Sequence, residues 1–317
     1  VGIIGVGNCA KSLVEGVQYY SENDKATTGV MKTDIGGYLA GDVEFVIGFD
    51  IDERKTGLGL GKALQQKPNC AWSIVDNIKS NAPVFEAPVI DGYAGLMDNY
   101  PEENRFLVCE KLRNSTDMNR VSWTNKLERT WKESIIAELK KRDVEVLVNY
   151  LPVGSQKTTE FWAEICLETG ISFVNCIPVF IASDPAWEQR FIDAGIPLIG
   201  DDMRSQFGAS ILSQMLQELA FERGHHVKAH IQRNVGGNTD FLNMEDKTRL
   251  ASKKISKENV IRAQNEIRNI STEDSFLHAG PSEYIHFYGD NKVANFRLEL
   301  EGFGGSPVLL DAQLSVQ

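Results

Sequence analysis

The sequence is short of the features that mark special classes of protein. Its five cysteines (Cys9, Cys70, Cys109, Cys166, Cys176) are scattered, odd in number and never spaced Cys-x-x-Cys. Neither a disulfide framework nor a zinc knuckle is indicated, and the expected setting is reducing and cytoplasmic. Long apolar runs are missing too. "VEFVIGF" and "CIPVFIA" are strand-length, well below the roughly 18 residues of a bilayer-spanning helix, so no membrane protein is expected. Basic residues are few: 33 Lys and Arg against 44 Asp and Glu leave a formal charge of -11. That balance argues against duplex nucleic acid as a partner, because phosphate neutralisation needs a basic surface. There is no low-complexity tail. What remains is 317 residues with 42% hydrophobic content, enough for two ordinary domains in one soluble chain. Both ends look trimmed. Val1 opens inside an expected strand, and Gln317 stops inside the alternating run "VLLDAQLSVQ".

The apolar period switches repeatedly between strand and helix. "VGIIGV" ends in glycine, and Leu13, Val14, Val17 and Tyr20 follow at helical spacing, which predicts strand, tight turn and helix. "VEFVIGF" predicts a second buried strand ending at Asp50. "VEVLVNY", "ISFVN" and "IPLIG" predict three more, separated by helices near 158–168 and 185–193. Strands alternating with crossover helices give an α/β fold, a Rossmann-like doubly wound parallel sheet with ligands at the carboxyl ends of its strands. After a predicted helix over 205–223, "HVKAHIQRNV", "NFRLELEGF" and "VLLDAQLSVQ" alternate like an antiparallel sheet with one wet face. This second, α+β domain is expected over 206–317, and the first over 1–205. Residues 98–133 read as a surface excursion carrying no identifiable chemistry.

"GVGNCA" places Gly5, Gly7 and Ala10 in the pattern G-x-G-x-x-[G/A] at a strand-to-helix junction. Gly5 permits the turn, Gly7 lets the backbone approach a pyrophosphate, and Ala10 lets the helix pack closely. Asn8 and Cys9 lie in the same turn, where the helix start offers free N–H groups to phosphate. An ordinary turn is the bland alternative. The strand ending at Asp50 favours the dinucleotide reading, because its carboxylate suits an adenosine ribose and disfavours a 2'-phosphate, hence NAD over NADP. Asp50 lies beyond the usual spacing of about 20 residues, so the intervening chain must loop out. "NYLPVGSQ" offers Pro152, Gly154 and Ser155 to the cofactor, with a helix N-cap at Ser155 equally expected. "GDDMRSQFGAS" ends a strand with Asp201 and Asp202, then presents Ser205, Gln206, Gly208 and Ala209 to a phosphate. Capping alone would explain the aspartates but not Arg204.

Taken in order, "GVGNCAKSLVEGVQYY", "NYLPVGS", "NCIPVFIASDPAW", "GDDMRSQFGAS", "NVGGNTDFLNM" and "SKKISK" resemble the myo-inositol-1-phosphate synthase family, in its shorter prokaryotic form. The likeness spans nearly the whole chain apart from about residues 70–135. It implies an NAD-binding domain, a catalytic and tetramerisation domain, a homotetramer and a place in inositol and phospholipid synthesis. It also implies conversion of glucose 6-phosphate to 1L-myo-inositol 1-phosphate: oxidation at C5, loss of a C6 proton, closure of C6 onto the C1 aldehyde, then reduction. By this resemblance Lys253, Lys257, Lys292 and Asp202 are catalytic, Asp201 touches the cofactor, and the family pattern runs on past Gln317 with one more lysine.

An enolate, an aldol alkoxide and a phosphate are three negative centres that ammonium groups stabilise. Lys254 has no matched role. Ser256 has the form of an N-cap, which would put Lys257 in the first turn of a helix and Lys253 before it. Lys292, in "YGDNK", would otherwise be a hairpin-tip charge. Asn238 and Asp240 follow a glycine pair that lets the chain close over a ligand, or else shape a turn. His226 and His230 lie two alternations apart on a predicted strand and share a face; a solvated or satisfied pair is preferred to a metal site. Two other functions stay open: a paralogous cyclase or dehydrogenase acting on another sugar phosphate, and a non-catalytic nucleotide-binding assembly.

Overall fold

A computed structural model describes residues 1–23, 25–108, 130–249, 251–268 and 275–317. The excursion expected over 98–133 lies partly outside these residues. The chain divides into two units, Val1–Asp201 and Asp202–Gln317.

The first unit is built on six parallel strands: β1 (Gly2–Ile4), β2 (Ile47–Asp50), β3 (Val84–Glu86), β4 (Val146–Asn149), β5 (Ser172–Asn175) and β6 (Leu198–Ile199), in the order β3-β2-β1-β4-β5-β6. This is the doubly wound order, and it reverses between β1 and β4. β3 was not expected; its "VFE" is too short to give a period. Five helices accompany the strands among the described residues: α1 (Asn8–Glu22), α2 (Leu60–Leu64), α3 (Trp131–Lys141), α4 (Gln156–Thr169) and α5 (Pro185–Ala194). Side chains alternate across a strand, so neighbouring β1 residues enter different cores. Ile3 joins Ala10 and Val14 of α1 and Leu60 and Leu64 of α2, whereas Ile4 joins Ile135 and Leu139 of α3 and Phe161 and Trp162 of α4. Both faces are therefore covered, which is why these strands read as continuous apolar runs.

The second unit is a four-stranded sheet: β7 (His226–Gly236), β8 (Phe276–Tyr284), β9 (Lys292–Glu301) and β10 (Pro307–Val316), in the order β10-β9-β7-β8. Helices α6 (Ala209–Glu222), α7 (Thr239–Asn243) and α8 (Ala251–Ile267) belong to it. Leu212 and Leu216 of α6 pack on Phe296, Leu298 and Leu300 of β9. β7, β9 and β10 pair antiparallel as expected; β8, which the alternation does not predict, is the exception. β7 and β8 run parallel, because the chain between them includes α8 and makes a crossover instead of a hairpin.

Two other expectations are corrected. α8 starts at Ala251, so Ser256 lies inside the helix and is not its cap; the helix-forming "ASKK" extends it by more than a turn. Residues 253 and 257 thus stand one turn apart on α8, while the side chains of Lys253, Lys254 and Lys257 lie outside the described ones. A register shift between Val227 and Ala229 also separates the two histidines. Past this irregularity the alternation changes face, leaving His226 exposed and His230 buried.

Candidate active site

The glycine turn follows β1 and "NYLPVGS" follows β4, the two neighbouring strands at which the sheet order reverses. Ligands of open α/β sheets sit outside the strand ends at such a point. The loops touch: Gly5 has φ +86, and a Cβ there would lie 2.6 Å from the carbonyl oxygen of Tyr150. Gly7 is different, because a Cβ on it would meet nothing within 4 Å, so its backbone face is open to an approaching group. Gly7 is also the N-cap of α1, whose first turn carries no acidic residue, and such a helix end favours an anion. Ala10 is fully buried. One cleft is lined by Gly5, Gly7, Asp50, Pro152, Thr158 and Trp162, among others. These features fit a dinucleotide.

Several expected contact residues have other partners. Asp50 is 8% exposed; its Oδ1 accepts the amides of Ile51 and Asp52, each at 2.8 Å, and its Oδ2 accepts that of Val6 at 2.8 Å. A carboxylate offers about four lone-pair sites, so Asp50 is not the open, two-handed acceptor of a ribose that its place at a strand end suggested. The Asn8 side chain takes the amides of Cys70 and Ala71 at 2.8 and 3.0 Å. With Lys11 (Nζ to the Ala71 carbonyl, 2.7 Å) and Glu15 (from the Ile74 amide, 2.8 Å) it straps residues 70–74 along α1. Ser155 stands at the N-cap position of α4 but does not cap it; its hydroxyl donates to the Pro152 carbonyl at 2.6 Å. The cap comes from Asp91, which accepts the amides of Lys157 and Thr158 at 2.7 and 2.9 Å. Gly154 turns the chain with φ +88. Asp201 is saturated by Asn175 Nδ2 at 2.7 Å and the amides of Ile181, Ala182 and Ser183 at 3.0–3.2 Å. It anchors the loop after β5 and has no lone pair to spare for a cofactor.

Asn149 and Asn175, paired in register at the ends of β4 and β5, continue this polar chain through a 2.9 Å bond. Between these ends lies Tyr150, whose hydroxyl meets the Cys176 thiol; burial pushes the phenol well above its ordinary range and the thiol up to about 11. Both stay protonated at neutral pH, so neither acts there as a nucleophile.

In the second unit, Asn238 caps α7 through the amides of Asp240 and Phe241 at 3.1 and 3.2 Å and donates to Asp290 Oδ1 at 2.7 Å. A Cβ on Gly237 would sit 2.4 Å from the Ile285 carbonyl. Gly237 thus makes room for the chain's own 285–289 turn and Gly236 for the Phe241 ring, so the pair serves the turn-shaping alternative. Lys292 opens β9 opposite Gly236, its Nζ 5.4 Å from the centre of the Phe241 ring, so Lys292, Asn238 and Asp240 belong to one neighbourhood. Asp202 holds a left-handed backbone, φ +61, uncommon outside glycine and a mark of functional turns. Ser205 and Gln206 are exposed before α6, while Gly208 is its N-cap and Ala209 is buried; no side chain caps the helix and no acid stands in its first turn. Among the described residues, no cluster of three or more His, Cys, Asp or Glu suits a metal ion, and no helix is long and apolar enough to cross a membrane.

The pattern of the family described as myo-inositol-1-phosphate synthase matches residues 208–317. Inositol-3-phosphate synthase of Corynebacterium glutamicum is 40% identical over 320 residues, covering 100% of this chain and 82% of that protein. That of Mycobacterium tuberculosis (strain CDC 1551 / Oshkosh) is 40% identical over 318 residues, covering 100% and 79%. The chain belongs to the myo-inositol-1-phosphate synthase family. Solved structures share the fold. A myo-inositol-1-phosphate synthase-related protein from Thermotoga maritima superposes with a TM-score of 0.77 at 22% identity, over 100% of this chain and 82% of that one. Inositol-3-phosphate synthase from Caenorhabditis elegans gives 0.67 at 14% identity, over 98% and 70%.

Sequence reasoning missed Lys55, Asn69 and Asp91, which hold the glycine turn and the start of α4 from loops. The signal available for Asp91 was "DG", a turn pair. Lys55 follows Asp50 in "DIDERK" and reads as a surface charge, yet it is 1% exposed.

Proposed function

We propose that this chain is an NAD-dependent isomerase, an inositol-3-phosphate synthase that closes glucose 6-phosphate into 1L-myo-inositol 1-phosphate without net oxidation. The observation that carries the reading is 40% identity along the whole chain to proteins of that name; by the motif resemblance, Lys253, Lys257, Lys292 and Asp202 are its catalytic residues. Residues 1–201 hold the cofactor: the open face of Gly7 and the start of α1 take the pyrophosphate, with Gly5, Cys9, Ala10, Pro152 and Gly154 shaping the turn around it. NAD bound there would supply hydride acceptor and donor chemistry. The chain supplies the rest. Lys253 moves the C6 proton, Lys257 and Lys292 stabilise the enolate and alkoxide charge, and Asp202 positions the first lysine. Ser205, Gln206, Gly208 and Ala209 present the uncapped start of α6 to the substrate phosphate. The enzyme works as a cytoplasmic homotetramer. NMR identification of the product from glucose 6-phosphate and NAD tests this. Many turnovers per NAD without build-up of NADH absorbance are expected; stoichiometric NADH release would indicate a dehydrogenase instead.

A further inference from the structure

The Lys55 ammonium is buried in the first unit, 1% exposed, and its known partners lie on the inner side of the glycine turn. It donates to the carbonyl of Val6 at 2.9 Å and to Asn69 Oδ1 at 2.9 Å, and stands 3.9 Å from Asp50 Oδ2. Asn69 Nδ2 donates to the same Val6 carbonyl at 3.1 Å. Val6 is the middle residue of Gly5-Val6-Gly7, and its N–H is held by Asp50 at 2.8 Å. Both peptide planes flanking Val6 are therefore gripped from beneath, one through its N–H and one through its C=O.

In a trans peptide the C=O and the following N–H point in opposite directions across one plane. Drawing the Val6 carbonyl inward to Lys55 and Asn69 turns the N–H of Gly7 outward, on the residue whose Cβ side is open. Gly7 borders this plane and Gly5 lies one residue before it, and glycine backbone is the costliest to order. Without the grip, the Gly7 N–H would sample many directions, and a phosphate would have to order it on binding.

We propose that Lys55 is a positioning residue for the cofactor: acting through the Val6 carbonyl, with Asn69 as second donor, it pre-orients the Gly7 N–H toward the pyrophosphate. The ion pair with Asp50 keeps both buried charges compensated, so the grip forms as one unit. This rests on the NAD reading above.

The test is NAD titration by calorimetry, with steady-state kinetics, on the full-length protein and its Lys55→Met and Asn69→Ala variants. Losing a charged donor to a buried carbonyl is expected to raise the Kd for NAD about tenfold in Lys55→Met, and losing a neutral one about threefold in Asn69→Ala. Because both act on one carbonyl, the double variant should fall short of the product of the two. At saturating NAD, kcat and the KM for sugar phosphate should stay within about twofold of the parent, a split that general loosening of the fold would not give. A folded Lys55→Met protein with unchanged NAD affinity overturns the proposal. Should Lys55→Met fail to fold, unchanged affinity in Asn69→Ala overturns it equally. A parent that binds no NAD removes the cofactor reading itself, an outcome visible before any variant is made.

Discussion

Lowering the pH should destabilise this protein through His230. The ring is 2% exposed, with Nε2 2.6 Å from Ser213 Oγ and Nδ1 2.9 Å from Gln217 Oε1. Gln217 Nε2 is committed to Asn265 Oδ1 at 3.0 Å and the Ile261 carbonyl at 3.3 Å, which turns Oε1 toward the ring. The network therefore assigns the proton to Nδ1 and leaves Nε2 accepting from the serine. Burial lowers the imidazole to about 4, against an ordinary value of about 6.5 in the unfolded chain. Between those values the unfolded chain binds the proton and the folded one does not, so stability is intact above about pH 6.5 and drains away as pH falls toward 4. Linkage gives a loss of about 2 kcal/mol at pH 5, approaching about 3 kcal/mol below pH 4. The assay is urea unfolding from pH 7 to 4.5 on the parent and His230→Gln. The variant should start less stable but lose about 2 kcal/mol less between pH 7 and 5. Parallel curves for the two proteins, or an NMR titration of His230 near pH 6.5, would refute the argument.

Asp91→Ala removes the acceptor for two amides and a hydroxyl at the start of α4 and should cost about 1–2 kcal/mol, read as a lower urea midpoint; an unchanged midpoint would mean that Ser155 or water can take over the cap. Lys253→Ala should abolish turnover with NAD binding intact, Lys257→Ala should weaken both turnover and sugar-phosphate binding, and Lys254→Ala should be nearly silent. If all three kept turnover within about twofold of the parent, these lysines would be a solvated patch.

The first sheet was largely readable in advance because its chemistry is local. A strand buried on both faces needs a continuous apolar run, a crossover needs helical spacing after it, and a turn at φ +86 under the Tyr150 carbonyl accepts only glycine. Five of the six strands and the glycine turn follow from such short stretches, as do the long blocks that carry the family likeness. The sequence by itself also determined the chemical inventory: lysines, aspartates and glycines at family spacing. Pairing was decided elsewhere. β8 runs parallel to β7 because of where α8 delivers the chain, and one register irregularity in β7 moved His226 and His230 to different surroundings. The partners of polar side chains were equally hidden. Asp50 and Asp201 at strand ends and Asn8 at the start of α1 look like cofactor ligands, yet their oxygens are taken by amides from residues 6, 70–71 and 181–183. Lys55 looks like a surface charge and is a buried donor to the turn. A hydrogen-bonding group shows its capacity in the sequence, but which donor satisfies it depends on segments dozens of residues away being folded against it. Only the tertiary structure supplies that, because a buried polar group must find its partner wherever the packed chain provides one.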